Sequence, residues 1–291
     1  MTPPPPTKAT ARAAAAAPVV LPAARRTRRW DKAYAMERIR RALALEGHSA
    51  QALAFDVDAA ARVYKTTGWL YRRWFRTECH GIEKLPPGRV MLVANHGSHA
   101  LAFDGASILT ACLFEAEPPR IVRPMADHRL MDLPMLGKSA KRIGAVDGRP
   151  TSCINLLRDG ATVLTFPEGT RAHQRRFRDR YKLAPFGYGF ARVALLARAP
   201  IVPVAVIGCE EEAPLLANPR WLRRLVGTHS APITPTLVFP LPAKHRLWFG
   251  DPIHVAGPLT SGTVTAGVRV VREALANLVA HGLAAREHVF W

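Results

Sequence analysis

The stretch VLTFPEGTRAHQRRFRDRYKLAPFGYGF, Val163–Phe190, contains the pattern on which this fold is built. An apolar run typical of a buried strand ends at Pro167 and Gly169, a dense basic segment follows, and a new apolar segment then begins. A second stretch, VMLVANHGSHALAFDGASI, Val90–Ile108, has the same form, because its apolar run also ends in polar residues. Each stretch predicts a strand with polar side chains at its carboxyl end.

Short apolar runs alternate with helical segments from Arg89 onward. Near-continuous apolar strands separated by helices are typical of a buried, mostly parallel sheet. We therefore predict an α/β fold with a mostly parallel central sheet flanked by helices and a site at the carboxyl ends of its strands. The predicted strands are RVMLVA, RIVRP, RIGAV, ATVLTF, IVPVAVIG, TLVFPL and RLWFG, and the predicted helices are Phe103–Phe114, Leu133–Lys141, Thr151–Arg158, Phe186–Arg198 and Val264–Val279.

Composition divides the chain into three parts. Residues 1–29 are rich in alanine and proline and are predicted to be a disordered tail rather than a signal peptide. Residues 30–77 predict a helical segment, with one helix ending at Gly47 and a second over Ser49–Phe75. The second ends in TTGWLYRRWFR, where interleaved aromatic and cationic residues suit a membrane interface as well as packing on the main domain. Residues 78–291 form the predicted main domain.

The net charge of +19 predicts attraction to polyanions such as nucleic acid, an anionic membrane or an acidic carrier. The four cysteines are widely spaced, which excludes the usual zinc spacings and a disulfide framework and favours a reducing compartment. No apolar run reaches the roughly 18 residues typical of a membrane span.

Three polar residues after RVMLVA could carry chemistry. A histidine beside a carboxylate can deprotonate a hydroxyl, and Asp104 is preceded by two histidines, His96 and His99. In a regular helix, His96 and Asp104 would be about 12 Å apart, and His99 and Asp104 about 140° apart around the axis. Either pair therefore requires a non-helical loop, and both pairs stay open.

The motif TFPEGTR, Thr165–Arg171, predicts a second group of site residues. Gly169 permits a tight turn that exposes backbone N–H groups. From Arg171 to Lys182, six basic residues accompany the single acid Asp179. This density suits phosphate binding, and the alternative is a solvated basic loop.

In these residues the chain resembles the glycerolipid acyltransferase superfamily, most of all the bacterial branch that is grouped with mono- and diacylglycerol acyltransferases. The similarity covers about Glu78–Val255. The matching stretches are LPPGRVMLVANHGSH with FDGA, RPMADHRLMDLPMLGKSAKRIGAVDGRP, LLRDGATVLTFPEGTR, KLAPFGYGFARVALLARAPIVPVAVIGCEE and WFGDPIHV.

The resemblance implies that residues 78–291 are an acyltransferase catalytic domain with His96 as base and Asp104 as its partner. The usual spacing would place the aspartate at Leu101, and His99 has that spacing to Asp104, so His99 is the alternative base. The expected substrate-binding residues are Glu168, Gly169, Thr170, Arg171, Arg149 and Lys182.

The implied reaction moves a fatty acyl group from acyl-CoA or acyl carrier protein to a hydroxyl of a glycerolipid or lysophospholipid acceptor, with no metal or cofactor. We expect the protein to be cytoplasmic and peripheral on the inner, anionic face of the membrane. The alternatives are a catalytically silent membrane- or nucleic-acid-binding protein. No nucleic-acid recognition motif is apparent, and a serine hydrolase lacks its nucleophile elbow, since GHSAQ fails at the last glycine.

Overall fold

A computed structural model describes residues 29–46, 55–97, 102–126, 131–132, 136–214, 219, 221, 233 and 239–290. Three predicted features lie outside these residues: residues 1–28 of the expected tail, His99, and the first half of the predicted strand TLVFPL. The second half of TLVFPL, residues 239–241, forms no strand. Within the described part of the chain, no helix combines the length and apolar character needed to cross a membrane.

The described residues contain one seven-stranded sheet, which confirms the predicted α/β class. Its order is β1-β7-β6-β2-β5-β3-β4, and every neighbouring pair is parallel except β6 with β7. The strands are β1 Glu78–His80, β2 Val90–Ala94, β3 Val122–Ala126, β4 Val146–Asp147, β5 Thr162–Thr165, β6 Ile201–Ile207 and β7 Arg246–Phe249.

Eight α-helices of the described residues accompany the sheet. They are α1 Lys32–Glu46, α2 Val57–Trp69, α3 Phe103–Phe114, α4 Leu136–Arg142, α5 Pro150–Arg158, α6 Gly189–Ala197, α7 Cys209–Glu212 and α8 Ser261–Ala285. A π-helical turn, Leu70–Trp74, continues α2, and short 3-10 turns cover Ile82–Lys84, Gly169–Gln174 and Phe177–Asp179.

Both faces of the sheet are covered, because alternate residues of its central strands enter two separate cores. In β2, Val90, Leu92 and Ala94 pack with the core under α1, α2 and α3, whereas Met91 and Val93 pack with the core under α5, α6 and α8. This alternation follows from the two-residue period of a strand. Because both faces of the sheet are covered, the sequences of the central strands are continuous apolar runs.

One predicted strand is wrong in its extent. RIGAV begins in α4, and Ile143 and Gly144 donate backbone hydrogen bonds to the carbonyls of Ala140 and Lys141. Gly144 then takes a φ of +99°, which ends the helix and leaves only β4 as strand. Helix α2 begins at Val57, later than predicted, where the carboxylate of Asp56 accepts a hydrogen bond from Ala59 N–H.

The sheet order places three polar turns together. Strand β2 lies between β5 and β6 and is parallel to both, so the carboxyl ends of the three strands lie at one edge of the sheet. The residues that follow these ends are Asn95–Gly97 after β2, Phe166–Gly169 after β5 and Gly208–Glu212 after β6.

Candidate active site

Asn95 fixes the segment that follows β2. Its side-chain amide donates to the carbonyl of Val206 at 3.0 Å and accepts from the N–H of Val206 at 2.8 Å. This two-point contact with β6 sets the direction in which the next residue, His96, leaves the sheet.

His96 and Asp104 are in direct contact. The Nδ1 atom of His96 lies 2.6 Å from Asp104 Oδ2, and the His96 ring stacks on Phe166 with centroids 4.3 Å apart. Asp104, in the first turn of α3, also accepts hydrogen bonds from the N–H groups of Gly97 and Gly105. The structure therefore brings His96 and Asp104 together, while the alternative base His99 lies outside the described residues.

The pair has opposite pKa shifts. Burial raises the pKa of Asp104, but the positive His96 ring and its hydrogen bond outweigh burial and lower the pKa to about 2. For His96, burial lowers the pKa, yet the Asp104 charge and hydrogen bond raise it above 6.5 overall. An ionised Asp104 places the proton on Nδ1 and makes Nε2 the basic nitrogen, the arrangement that general-base catalysis requires.

Glu168, one of the predicted substrate-binding residues, lies inside the protein. Its side chain is fully buried. Oε1 accepts from the N–H of His96 at 3.1 Å, while Oε2 accepts from Arg175 and from the N–H of Ala184. Both oxygens of Glu168 are thus in contact with protein groups, one of which is the backbone of His96.

The other predicted binding residues are exposed at the surface of the protein. Gly169 has a φ of +56°, in agreement with the tight turn predicted for it. The Arg171 Nε donates to the carbonyl of Pro185 at 3.1 Å. Arg149 and Lys182 pair with Asp147 and Asp179, respectively, and are still about two-thirds or more exposed. The remaining predicted residue, Thr170, is exposed on the same turn as Gly169.

Helix α7 contributes site residues that the sequence analysis did not single out. Glu210 is buried and lies 2.6 Å from Arg175, and burial raises its pKa to about 7. A methyl group on Gly97 would lie 2.6 Å from Glu210 Cγ, so the backbone of the His96 loop packs directly on this side chain. The sequence feature that could have identified these residues is the run of three acidic residues in CEEE, which comes shortly after a strongly apolar strand.

No group of three or more His, Cys, Asp or Glu side chains in the described residues has the arrangement of a metal site. The described site residues are the buried His96–Asp104 pair, the groups that contact the backbone of His96, and the exposed basic residues Arg149, Arg171 and Lys182.

Comparison with known proteins finds a family-model match and similar chains. The model described as Acyltransferase matches residues 76–207. An uncharacterized protein of Mycobacterium tuberculosis is 36% identical over 241 residues, which cover 77% of this chain and 66% of the relative. A Gallus gallus protein, described as a DGAT1/2-independent enzyme synthesizing storage lipids, is 27% identical over 232 residues, or 79% of this chain and 67% of that protein.

A solved structure has a similar fold. The 1-acyl-sn-glycerophosphate (LPA) acyltransferase PlsC of Thermotoga maritima aligns with a TM-score of 0.54 and 21% identity, covering 79% of this chain and 81% of that one. The present chain spans 64–66% of the length of the mycobacterial relatives that it matches.

Proposed function

We propose that the chain, in which residues 76–207 match the Acyltransferase family model, is a glycerolipid acyltransferase that transfers a fatty acyl group from a thioester donor to a hydroxyl of a glycerolipid acceptor. One observation carries the proposal: Nδ1 of His96 lies 2.6 Å from Asp104 Oδ2 at the carboxyl end of a central strand. A thioester is already activated, so one base and correct positioning suffice.

In the proposed reaction, Nε2 of His96 removes the proton of the acceptor hydroxyl as its oxygen attacks the thioester carbonyl. The oxygen–carbon bond forms and the carbon–sulfur bond breaks. Asp104 stabilises the imidazolium through Nδ1–H. The imidazolium then returns its proton to the departing thiolate, so the enzyme ends in its initial state without a covalent acyl intermediate.

We propose acyl-CoA or acyl carrier protein as the acyl donor. The proposed acceptor is a lysophospholipid or a mono- or diacylglycerol. Support comes from the exposed basic residues around the site, of which Arg178 and Lys182 have side chains about three-quarters exposed. Such a surface attracts both the phosphates of coenzyme A and an acidic carrier.

Peripheral attachment to the inner face of the cytoplasmic membrane belongs to this proposed function. Trp69 is 54% exposed at the end of α2 and stacks on Trp74, which in turn contacts the exposed ring of Phe239. Exposed aromatic rings together with the net charge of +19 suit the headgroup region of an anionic bilayer.

The deciding experiment measures thiol release from acyl-CoA and from acyl carrier protein in the presence of lysophosphatidate, monoacylglycerol, diacylglycerol or no acceptor. His96→Ala and His99→Ala are compared with the wild type, and circular dichroism checks their folding. We expect acceptor-dependent release that falls by about 10²-fold or more in His96→Ala and persists in His99→Ala. Equal release by His96→Ala, or no release with any donor and acceptor, would contradict the proposal.

A further inference from the structure

Arg175 joins the three turns of the site. Its side chain is 5% exposed, one terminal nitrogen contacts Glu168, and the other lies 2.6 Å from Glu210 and 3.3 Å from the carbonyl of His96. Its planar guanidinium suits this use, because its donors point in fixed directions to several acceptors at once.

The backbone of His96 is thereby held at both of its polar groups. Its N–H donates to Glu168, and its carbonyl accepts from Arg175, which also contacts Glu168. The imidazole can therefore rotate only about its side-chain bonds. A base must be placed within hydrogen-bond reach of the hydroxyl it deprotonates, so fixing its backbone affects the reaction directly.

Glu210 contacts the same terminal nitrogen of Arg175 that donates to the His96 carbonyl. The same Oε1 that contacts Arg175 accepts the N–H of Tyr181 at 2.9 Å, which also anchors the end of the basic segment. Gly97 packs against Glu210, so a change at Glu210 reaches the His96 loop by two routes, the guanidinium and direct contact.

We propose that Arg175 and Glu210 are positioning residues that hold the backbone of His96 in the geometry needed for proton transfer. This inference rests on the proposed acyltransferase function. The described hydrogen bond from Arg175 to His96 reaches the backbone carbonyl rather than the ring, and the charge of Arg175 also lowers the pKa of the imidazole. Loss of either is expected to lower kcat and to leave KM nearly unchanged, because the exposed cations Arg149, Arg178 and Lys182 have their described ion-pair partners elsewhere, in Asp147 and Asp179.

The experiment compares Arg175→Lys, Glu210→Ala and Glu210→Gln in the full chain. In Arg175→Lys the positive charge remains, but the planar set of guanidinium N–H donors is lost. In Glu210→Gln the side-chain oxygen remains as an acceptor for Tyr181 and Arg175. The controls are Arg269→Lys and Glu273→Ala, which alter an exposed Arg–Glu pair on α8. Three quantities are measured: kcat and KM, the melting temperature, and the NMR signal of the His96 Nδ1 proton, assigned by its loss in His96→Gln.

We expect kcat to fall about tenfold or more in Arg175→Lys and Glu210→Ala, with KM within about twofold, and Glu210→Gln to recover most of that loss. The His96 Nδ1 signal should shift in the two impaired variants and stay in place in the controls. Unchanged kcat in folded variants, or an unshifted Nδ1 signal, would overturn the inference. Should Arg175→Lys fail to fold, the two Glu210 variants decide.

The NMR signal also separates this inference from the proposed function. If the wild type releases no thiol with any donor and acceptor, the proposed function fails. A shifted Nδ1 signal in Glu210→Ala would then still support the positioning of His96, and an unshifted one would refute it.

Discussion

Among single residues, Asp104 controls the charge state of the proposed base. Its pKa of about 2 keeps it ionised throughout the neutral range, and its negative charge raises the pKa of His96 despite burial. Only the neutral imidazole can accept a proton. Activity should therefore depend on pH through His96 and should respond to the charge at position 104.

The first prediction concerns the pH profile of kcat/KM. In the wild type we expect kcat/KM to rise with pH and to reach half its maximum above pH 6.5, because the pKa of His96 is raised. In Asp104→Asn the midpoint should move to lower pH, and kcat should fall by about 10²–10⁴-fold. A series of kcat/KM measurements from pH 5 to 9 checks both.

The stability of the same two proteins gives an independent reading of Asp104. Its lowered pKa means that the carboxylate stabilises the fold above its ordinary pKa of 3.8, and that this stabilisation is lost as pH falls toward 2. The difference in unfolding free energy between wild type and Asp104→Asn should shrink over that range. If the midpoint of the kcat/KM profile stays at the same pH in Asp104→Asn, Asp104 is not an ionised partner of His96.

Among the elements, α7 is a junction between distant parts of the chain. Its three consecutive glutamates are all buried, and each has a different partner. Glu210 contacts Arg175, Glu211 contacts Arg286 after α8, and Glu212 lies 2.8 Å from His245 before β7. Helix α7 therefore links the site to the segment that follows α8 and to the residue that precedes β7.

The second prediction tests the contact between α7 and the His96 loop. In Gly97→Ala the new methyl group would lie 2.5 Å from Cys209 Sγ and 2.6 Å from Glu210 Cγ, so one segment must move. We expect a loss of about 1–3 kcal/mol in unfolding free energy together with a lower kcat. Gly189→Ala is the matched control, because its methyl group would have no atom within 4 Å. Equal melting temperatures and equal kcat for the two variants would contradict the packing described.

The third prediction tests the link between α7 and α3. His245 lies between Glu212 at 2.8 Å and the Ser107 hydroxyl at 3.0 Å, and all three side chains are buried. Glu212→Ala removes the carboxylate that faces His245 in the protein interior. We expect the free energy of unfolding, measured with urea, to fall by about 2–4 kcal/mol. The exposed Glu273→Ala should change stability by less than about 0.5 kcal/mol. Similar midpoints for both variants would refute a structural role for this contact.

For the whole molecule, charge and exposed aromatic surface predict how the protein meets a membrane. The side chains of Trp69, Trp74 and Phe239 form an aromatic surface at the end of α2. Tyr71 and Phe75, in the same segment, are buried and serve the core. The segment at the end of α2 therefore packs some of its aromatic residues in the core and exposes others. Its sequence was compatible with both arrangements.

The fourth prediction concerns binding to vesicles. The protein should float with phosphatidylglycerol vesicles at low salt and less at 1 M salt, where the Debye length is about 3 Å. Trp69→Ala combined with Trp74→Ala should weaken flotation, since aromatic rings favour the interface. Leu196→Ala, an exposed apolar residue of α6 on the opposite face of the sheet, is the control. Absence of flotation at low salt would contradict peripheral attachment.

Local sequence determined several elements of this protein. Helix Phe103–Phe114 was predicted with its observed bounds, and the apolar runs of β2, β5 and β6 were predicted within a residue or two. Apolar periodicity, Gly and Pro act on near neighbours in the chain, so they can be read without a structure. RIGAV was misread because a short apolar run does not distinguish a helix end from a strand.

The tertiary structure alone decided how the site is assembled. His96 and Glu168 are 72 residues apart, and Asn95 and Val206 are 111 apart, yet each pair is in hydrogen-bond contact. These contacts follow from β2 lying between β5 and β6, a strand order that no local pattern encodes. The sequence determined that polar residues follow the strands. The sheet order decided that Glu168, Arg175 and Glu210 turn inward, because only there do their charges meet partners that offset the cost of burial.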